Sequence, residues 1–176
     1  MKIRLSSPVL TDSIVDGPGL RMVIWTQGCN HGCKGCHNPL THDVCGGFEA
    51  DTEEIIAKID GLRLQKGITL SGGEPFLQPE PLLDLAIEAR KRGLDVWAYT
   101  GFTYDKLLDK SSDSYFNNLN LLKNIDILVD GKFIESKRDI SLTYRGSRNQ
   151  RLIDVQKSLK EKKVCISEEY LDREII

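Results

Sequence analysis

Leu20-Arg-Met-Val-Ile-Trp-Thr26 runs straight into Gln27-Gly-Cys29-Asn-His-Gly-Cys33-Lys-Gly-Cys36-His-Asn-Pro39, and the reading of this junction decides the fold. The first part is a mostly apolar run rich in strand formers, as expected of a strand covered on both faces. It hands three cysteines, spaced C-x3-C-x2-C, to the loop at its carboxyl end, where α/β folds place their ligands. Three thiolates are one fewer than the four that close a zinc or an ordinary iron–sulfur site, so a metal centre held this way keeps a position free for chemistry. Gly28, Gly32 and Gly35 let the backbone wrap tightly and bring amides close to a bulky anionic group. Spacing alone leaves two quieter readings open: a zinc knuckle completed by His31, His37 or His42, and a closed cluster completed by Cys45, nine residues beyond Cys36.

A second stretch, Thr69-Leu-Ser71-Gly72-Gly73-Glu74-Pro75, follows the short apolar run Gly67 to Leu70 and precedes a helix, which puts it at the carboxyl end of another strand. Adjacent glycines let backbone carbonyls approach a ligand, and the Glu74 carboxylate can pair with an ammonium group. Taken alone, Gly-Gly-Glu-Pro is an ordinary turn. Beside the cysteine loop it reads as the other half of one site.

Outward from these motifs the pattern strand, loop, helix repeats. Asp51-Thr-Glu-Glu54 reads as a capping arrangement for a helix with Ile55, Ile56, Ile59 and Leu62 on one face. Pro79 and Pro81 start the next helix, whose stripe is Leu82, Leu83, Ala86 and Ile87 and whose end is Lys91-Arg-Gly93. Asp95 to Thr100 is a third strand, after which Thr103 caps a helix carrying Leu107 and Leu108, and a further helical piece carries Phe116, Leu119 and Leu122. Ile125 to Val129 is a fourth strand, and Arg151 to Val155 a further one before the helical segment Gln156 to Lys163. Residues 1–19 read as an extended arm ending in the turn Asp16-Gly-Pro-Gly19. Strands alternating with helices imply a parallel sheet with right-handed crossovers and ligand groups gathered at its carboxyl edge.

At 176 residues the chain reads as a single domain over 1–176. It is short of the ~250 residues of a complete (β/α)8 barrel, so any barrel is partial. Apolar and charged fractions of 40% and 28% are ordinary for a globular chain. No apolar run approaches the ~20 residues that span a bilayer. Met-Lys-Ile-Arg-Leu lacks the apolar core of a signal peptide, which gives a cytoplasmic expectation. Five cysteines, an odd number with three clustered, suit metal binding in a reducing compartment better than a disulfide framework. Cys165, within Val164-Cys-Ile166, reads as a small buried hydrophobe. A net charge of −2 offers no attraction for nucleic acid. Arg138, Arg145, Arg148 and Arg151 make the C-terminal part locally basic, mostly as solvated surface and as a docking face for a partner.

With both motifs in place the chain resembles the radical S-adenosylmethionine (SAM) enzymes. Val15-Asp-Gly-Pro-Gly-Leu-Arg21, Gly28-Cys-Asn, Cys36-His-Asn-Pro39, Tyr99-Thr-Gly101, Val129-Asp-Gly-Lys-Phe133 and Arg145-Gly-Ser-Arg-Asn-Gln-Arg151 extend the likeness. They make it similar to the activating enzymes of glycyl-radical enzymes, specifically those serving anaerobic ribonucleoside-triphosphate reductase. The resemblance implies an α/β fold, a partial (β/α) barrel of about five to six parallel strands open on one side. It implies that Cys29, Cys33 and Cys36 hold a [4Fe–4S] cluster, one per chain, whose uncapped iron takes the SAM amino and carboxylate groups. Gly72, Gly73 and Glu74 would contact the methionine moiety, and backbone groups of Gly35 and His37 the adenine. Many relatives carry an aromatic residue where this chain has Gly35. Thr100, Asp130 and Lys132 would contact the SAM carboxylate or a bound monovalent cation. The implied reaction cleaves SAM reductively to methionine and a 5′-deoxyadenosyl radical, which takes a hydrogen atom from a glycine Cα of the large catalytic subunit of the reductase. The implied electron source is a low-potential donor such as flavodoxin or ferredoxin, with neither nucleic acid nor membrane as partner. The alternatives are an activator of a different glycyl-radical enzyme, a radical SAM enzyme for a small molecule, and a non-catalytic zinc or redox-cluster module.

Overall fold

The computed structural model describes residues 1–170; residues 171–176, the end of the expected domain, lie outside the described residues. The strands are β1 (Lys2–Leu5), β2 (Leu10–Ser13), β3 (Arg21–Thr26), β4 (Phe48–Asp51), β5 (Gly67–Gly72), β6 (Asp95–Tyr99), β7 (Ile127–Asp130) and β8 (Arg151–Asp154). The helices are α1 (Thr52–Gly61), α2 (Pro79–Lys91), α3 (Tyr104–Leu107), α4 (Tyr115–Leu122) and α5 (Val155–Glu161). All strands belong to one open sheet in the order β4-β1-β3-β5-β6-β7-β8, with β2 also paired to β3.

The centre, β3-β5-β6-β7, is parallel and in step: Val23 faces Thr69, Thr69 faces Trp97, and Trp97 faces Ile127. Its strands are short and buried on both faces, which is why they read as continuous apolar runs. The mixed α/β architecture with an open parallel sheet is as expected, but the parallel run has four strands, not five to six. β8 returns antiparallel to β7. A parallel neighbour needs a crossover back over the sheet, usually a helix. Residues 131–150 contain only the 3-10 turn Glu135–Lys137 and line the carboxyl edge, so the chain re-enters the sheet from that side.

The expected arm over residues 1–19 also holds sheet. Ile3 and Leu5 are buried while Lys2 and Arg4 are not, a period-two alternation in a strand too short to stand out. β1 and β2 both pair antiparallel with β3, and β4 pairs antiparallel with β1. Asp51 precedes α1 but makes no side-chain cap; its carboxylate takes the Lys2 ammonium at 2.8 Å across the edge pair.

Helices cover one face of the sheet. α2 buries Leu82, Leu85, Ala86 and Ala89, one step off the expected stripe, leaving Leu83 and Ile87 half-buried. Full burial of each leucine contributes about 1.5–3 kcal/mol. The helix ends at the C-cap Arg92, after which Gly93 takes φ +75°, the left-handed turn that glycine favours there. In α4 the buried residues are Asn118, Leu121 and Leu122, and Phe116 stays exposed. Thr103 caps α3 through the Lys106 N–H.

The opposite face is smaller and partly polar. Trp97, Ile127, Val129 and Leu152 pack there with Tyr99, Tyr144 and Tyr170. At its amino-terminal end the fully buried Arg21 donates to Thr69 Oγ1 (2.7 Å) and Ile68 O (2.7 Å), pairs with Asp95 (2.5 Å), and lies over the Trp97 ring at 5.5 Å. The Asp16-Gly-Pro-Gly19 turn is anchored here, through Pro18 O on Arg21 and Asp16 O on Thr69. At the far edge, Asp154 caps α5 by accepting the Lys157 N–H at 2.9 Å. Asp154→Ala is expected to cost about 1 kcal/mol in a urea melt, the usual loss for an N-cap carboxylate.

Candidate functional site

The two motifs meet because pairing of β3 with β5 continues past the ends of the strands. Gly73 N–H donates to Thr26 O and Glu74 N–H to Gly28 O, each at 2.8 Å. Gly72 sits where a side chain has no room: φ is +106°, and a Cβ would lie 2.4 Å from both Thr26 N and Thr26 O. The cysteine loop is closed on its other side by Gly28 N–H to Thr41 O (2.9 Å) and Cys29 N–H to His42 O (3.3 Å). The buried Gln27 amide reinforces this, donating to Leu40 O (3.1 Å) and Asp43 O (2.7 Å).

The result is a cleft of about 800 Å3 at the carboxyl edge of the parallel strands, within the size range of small-molecule sites. Cys29, Cys33, Cys36, Gly35, His37, Gly72, Gly73 and Thr100 all line it. Three expected site residues do not. Glu74 is fully buried beneath the lining, and Asp130 is 1% exposed. The Asp130 carboxylate receives the Tyr104 N–H (2.8 Å) and a two-pronged Arg151 guanidinium (2.9 and 2.5 Å), so it clamps β7, β8 and α3 together. Lys132 is exposed, and its carbonyl accepts from Asn149.

Cys45 is exposed and Cys165 buried, and neither lines the cleft. The three loop cysteines are half-buried. Burial pushes the Cys29 thiol above its ordinary value, while the His31 backbone N–H pulls it back down. Cys36 Sγ accepts the Asn38 N–H at 3.4 Å.

Among the described residues no three His, Cys, Asp or Glu side chains converge as the donors of one metal ion do. Three thiols around one cleft, with glycine-rich backbone between them, form a donor set that fits a thiolate-held iron–sulfur cluster.

Several lining residues were not among the ligand contacts expected from the sequence. Trp25, Ser71 and Tyr99 come from the strand ends, where alternation turns them into the cleft. Burial raises the Tyr99 phenol far above its ordinary value. The segment 131–150 supplies Phe133, Arg138, Tyr144, Arg145 and Gln150. It is pinned by an Arg138–Ser147 bridge, by an Asp139–Arg148 ion pair at 2.7 Å, and by the Tyr144 ring, edge-on to Trp97 at 5.2 Å. Phe133 fits between two glycines: a Cβ on Gly35 would come within 3.3 Å of its ring and one on Gly146 within 3.0 Å. Of the four arginines expected mainly at the surface, Arg138 and Arg148 are exposed, whereas Arg145 and Arg151 are half-buried.

A family model described as a 4Fe-4S single cluster domain matches residues 15–153. The anaerobic ribonucleoside-triphosphate reductase-activating protein of Haemophilus influenzae is 36% identical over 145 residues, covering 78% of this chain and 89% of that protein. Its namesake in Escherichia coli K12 is 37% identical over 146 residues, covering 78% and 90%. The pyruvate formate-lyase-activating enzyme of Clostridium pasteurianum is 34% identical over 143 residues, covering 77% of this chain and 55% of that enzyme. Among solved structures, QueE from Escherichia coli overlaps 58% of this chain and 54% of its own, with 21% identity and a TM-score of 0.43.

Proposed function

Because the chain belongs to the 4Fe-4S single cluster family and, within it, to the anaerobic ribonucleoside-triphosphate reductase-activating proteins, we propose that it is a radical SAM enzyme generating a glycyl radical on that reductase. The observation that carries the reading is that Cys29, Cys33 and Cys36 share one cleft with the Gly72-Gly73 backbone. When bound, a [4Fe–4S] cluster supplies the low-potential electron and the open iron corner at which SAM is split into methionine and a 5′-deoxyadenosyl radical.

The residues divide the remaining work. Cys29, Cys33 and Cys36 would hold the cluster as thiolates. The Ser71–Gly73 backbone receives the methionine end of SAM, and Thr100 borders it. Gly35 and His37 present backbone groups toward the adenine, and the Phe133 ring offers the aromatic face that Gly35 does not. The open cleft admits a glycine-bearing loop of the reductase to contact distance, which a hydrogen-atom transfer requires. Residues 1–176 act as one radical SAM domain, and the exposed Arg138 and Arg148 beside the cleft form part of the docking face. A low-potential donor such as flavodoxin or ferredoxin delivers the electron. Asp130 and Lys132 are assigned supporting roles, Asp130 through its clamp on Arg151; a monovalent cation, if used, would be held from the Thr100 side. The setting is cytoplasmic; among the described residues no helix is long and apolar enough to cross a membrane.

The test is anaerobic reconstitution followed by addition of SAM and a strong reductant, with and without the reductase. The expected products are 5′-deoxyadenosine in both cases and, with the reductase, a glycyl doublet in the electron paramagnetic resonance (EPR) spectrum. Tightly bound zinc with no deoxyadenosine would refute the reading. The similarity to a pyruvate formate-lyase-activating enzyme favours, as a second reading, a different glycyl-radical partner. A doublet on pyruvate formate-lyase alone would establish that instead.

A further inference from the structure

His31 lies between Cys29 and Cys33, and its surroundings are shaped to hold its ring. The side chain is 6% exposed, with Nε2 2.6 Å from Glu74 Oε2. A Cβ on Gly101 would fall 2.3 Å from His31 Cδ2, so the glycine leaves the space the imidazole occupies. Phe102 meets the ring edge-on at 4.5 Å.

The Glu74 carboxylate is the common partner of four groups. Its Oε2 takes the Gly101 N–H (2.8 Å) beside His31, and its Oε1 takes the Thr100 hydroxyl (2.8 Å) and the Phe76 N–H (3.0 Å). Two donors on each oxygen use the acceptor capacity of a carboxylate, and with no exposed surface it has no face left for a ligand ammonium.

We propose that His31 and Glu74 are a positioning pair: the imidazole donates from Nε2 to the buried carboxylate and thereby fixes the cysteine loop against the Ser71–Gly73 backbone. This rests on the radical SAM reading and revises one part of it. Glu74 does not bind the ammonium of SAM; the backbone receives it, and Glu74 acts by setting where the cluster loop stands relative to that backbone. The alignment matters because an electron must pass directly between the cluster and a sulfonium held at a fixed point, and displacements of an ångström degrade such geometry.

The experiment uses the reconstituted full chain as wild type, His31→Leu, His31→Gln and Gly101→Ala. Iron content, SAM affinity and the SAM-induced change in the EPR spectrum of the reduced cluster are measured on each. His31→Leu is expected to keep its cluster but bind SAM about 10- to 100-fold more weakly, the range seen when a group orienting metal ligands is lost. The spectral response to SAM should shrink in parallel. His31→Gln, which keeps a donor at similar reach, should recover most of the affinity. Gly101→Ala crowds the ring without altering the cysteine loop and should reproduce the loss, which keeps the test decisive where His31→Leu takes up no iron.

Wild-type affinity and spectral response in His31→Leu or Gly101→Ala would overturn the pair, as would a glutamine variant no better than leucine. Wild-type protein in the same series separates the premise from the inference. A loaded wild type that leaves SAM uncleaved would overturn the radical SAM reading and the pair with it, whereas active wild type with an equally responsive His31→Leu sinks the pair alone.

Discussion

Replacing Cys29, Cys33 or Cys36 by alanine is expected to abolish 5′-deoxyadenosine formation, whereas Cys45→Ala and Cys165→Ala should leave it near the wild-type level. The three loop cysteines line the cleft and the other two do not. On the proposed ligand set, removing one thiolate would leave two protein bonds to hold a cluster that takes three, so cluster retention is expected to fall together with activity. Cys45 is exposed on the turn beyond the loop, its N–H tied to Asp43 Oδ1 at 2.9 Å. Cys165 lies against α5, its N–H on Ser158 Oγ at 2.9 Å. Product analysis by chromatography, with iron content measured on the same samples, checks both halves. A loss in Cys45→Ala as deep as in the other three would reassign the ligand set to four cysteines and remove the open position.

The second large effect is expected from Gly72→Ala. A left-handed backbone costs an L-residue about 1–2 kcal/mol. The new Cβ would also lie 2.4 Å from main-chain atoms of Thr26, which cannot rotate away. Overpacking of this kind costs about 1–3 kcal/mol more, so a total of about 3 kcal/mol or above should appear in the denaturant midpoint. The damage falls where β3 and β5 carry the two motifs, so SAM binding by the remaining folded protein should fall as well. Gly61→Ala is the contrast: with no atom within 4 Å of the new Cβ it should be neutral or stabilising by about 0.5–1 kcal/mol. Equal stability of the two variants would show that close approach of the strands at Gly72 is not a constraint.

What was legible in the sequence follows from how locally each feature is encoded. The parallel strands were readable because burial on both faces makes a run such as Met22-Val-Ile24 uniformly apolar. The cysteine loop and the Ser71-Gly72-Gly73 segment were readable because their chemistry lies within a few residues, and their shared cleft follows from β3 and β5 being neighbours. β1 was hidden because four residues of alternation are too few to distinguish from an arm. The direction of β8 was hidden because it depends on a long segment without periodicity. The place of Glu74 was beyond reach for another reason. An acidic residue beside two glycines looks like a ligand group, and only the convergence of His31 and of Thr100-Gly101 from two other segments shows the carboxylate to be occupied. Asp130 is similar, its Arg151 partner lying 21 positions away.

The open iron corner is the claim on which the function depends, and the most direct measurement is electron–nuclear double resonance of the reduced, reconstituted protein with SAM labelled with 15N at the amino group and 17O at the carboxylate. Couplings of both labels to the cluster spin are the expected result. Silence from both labels, with a fourth protein side chain coupled to the cluster in their place, would contradict it.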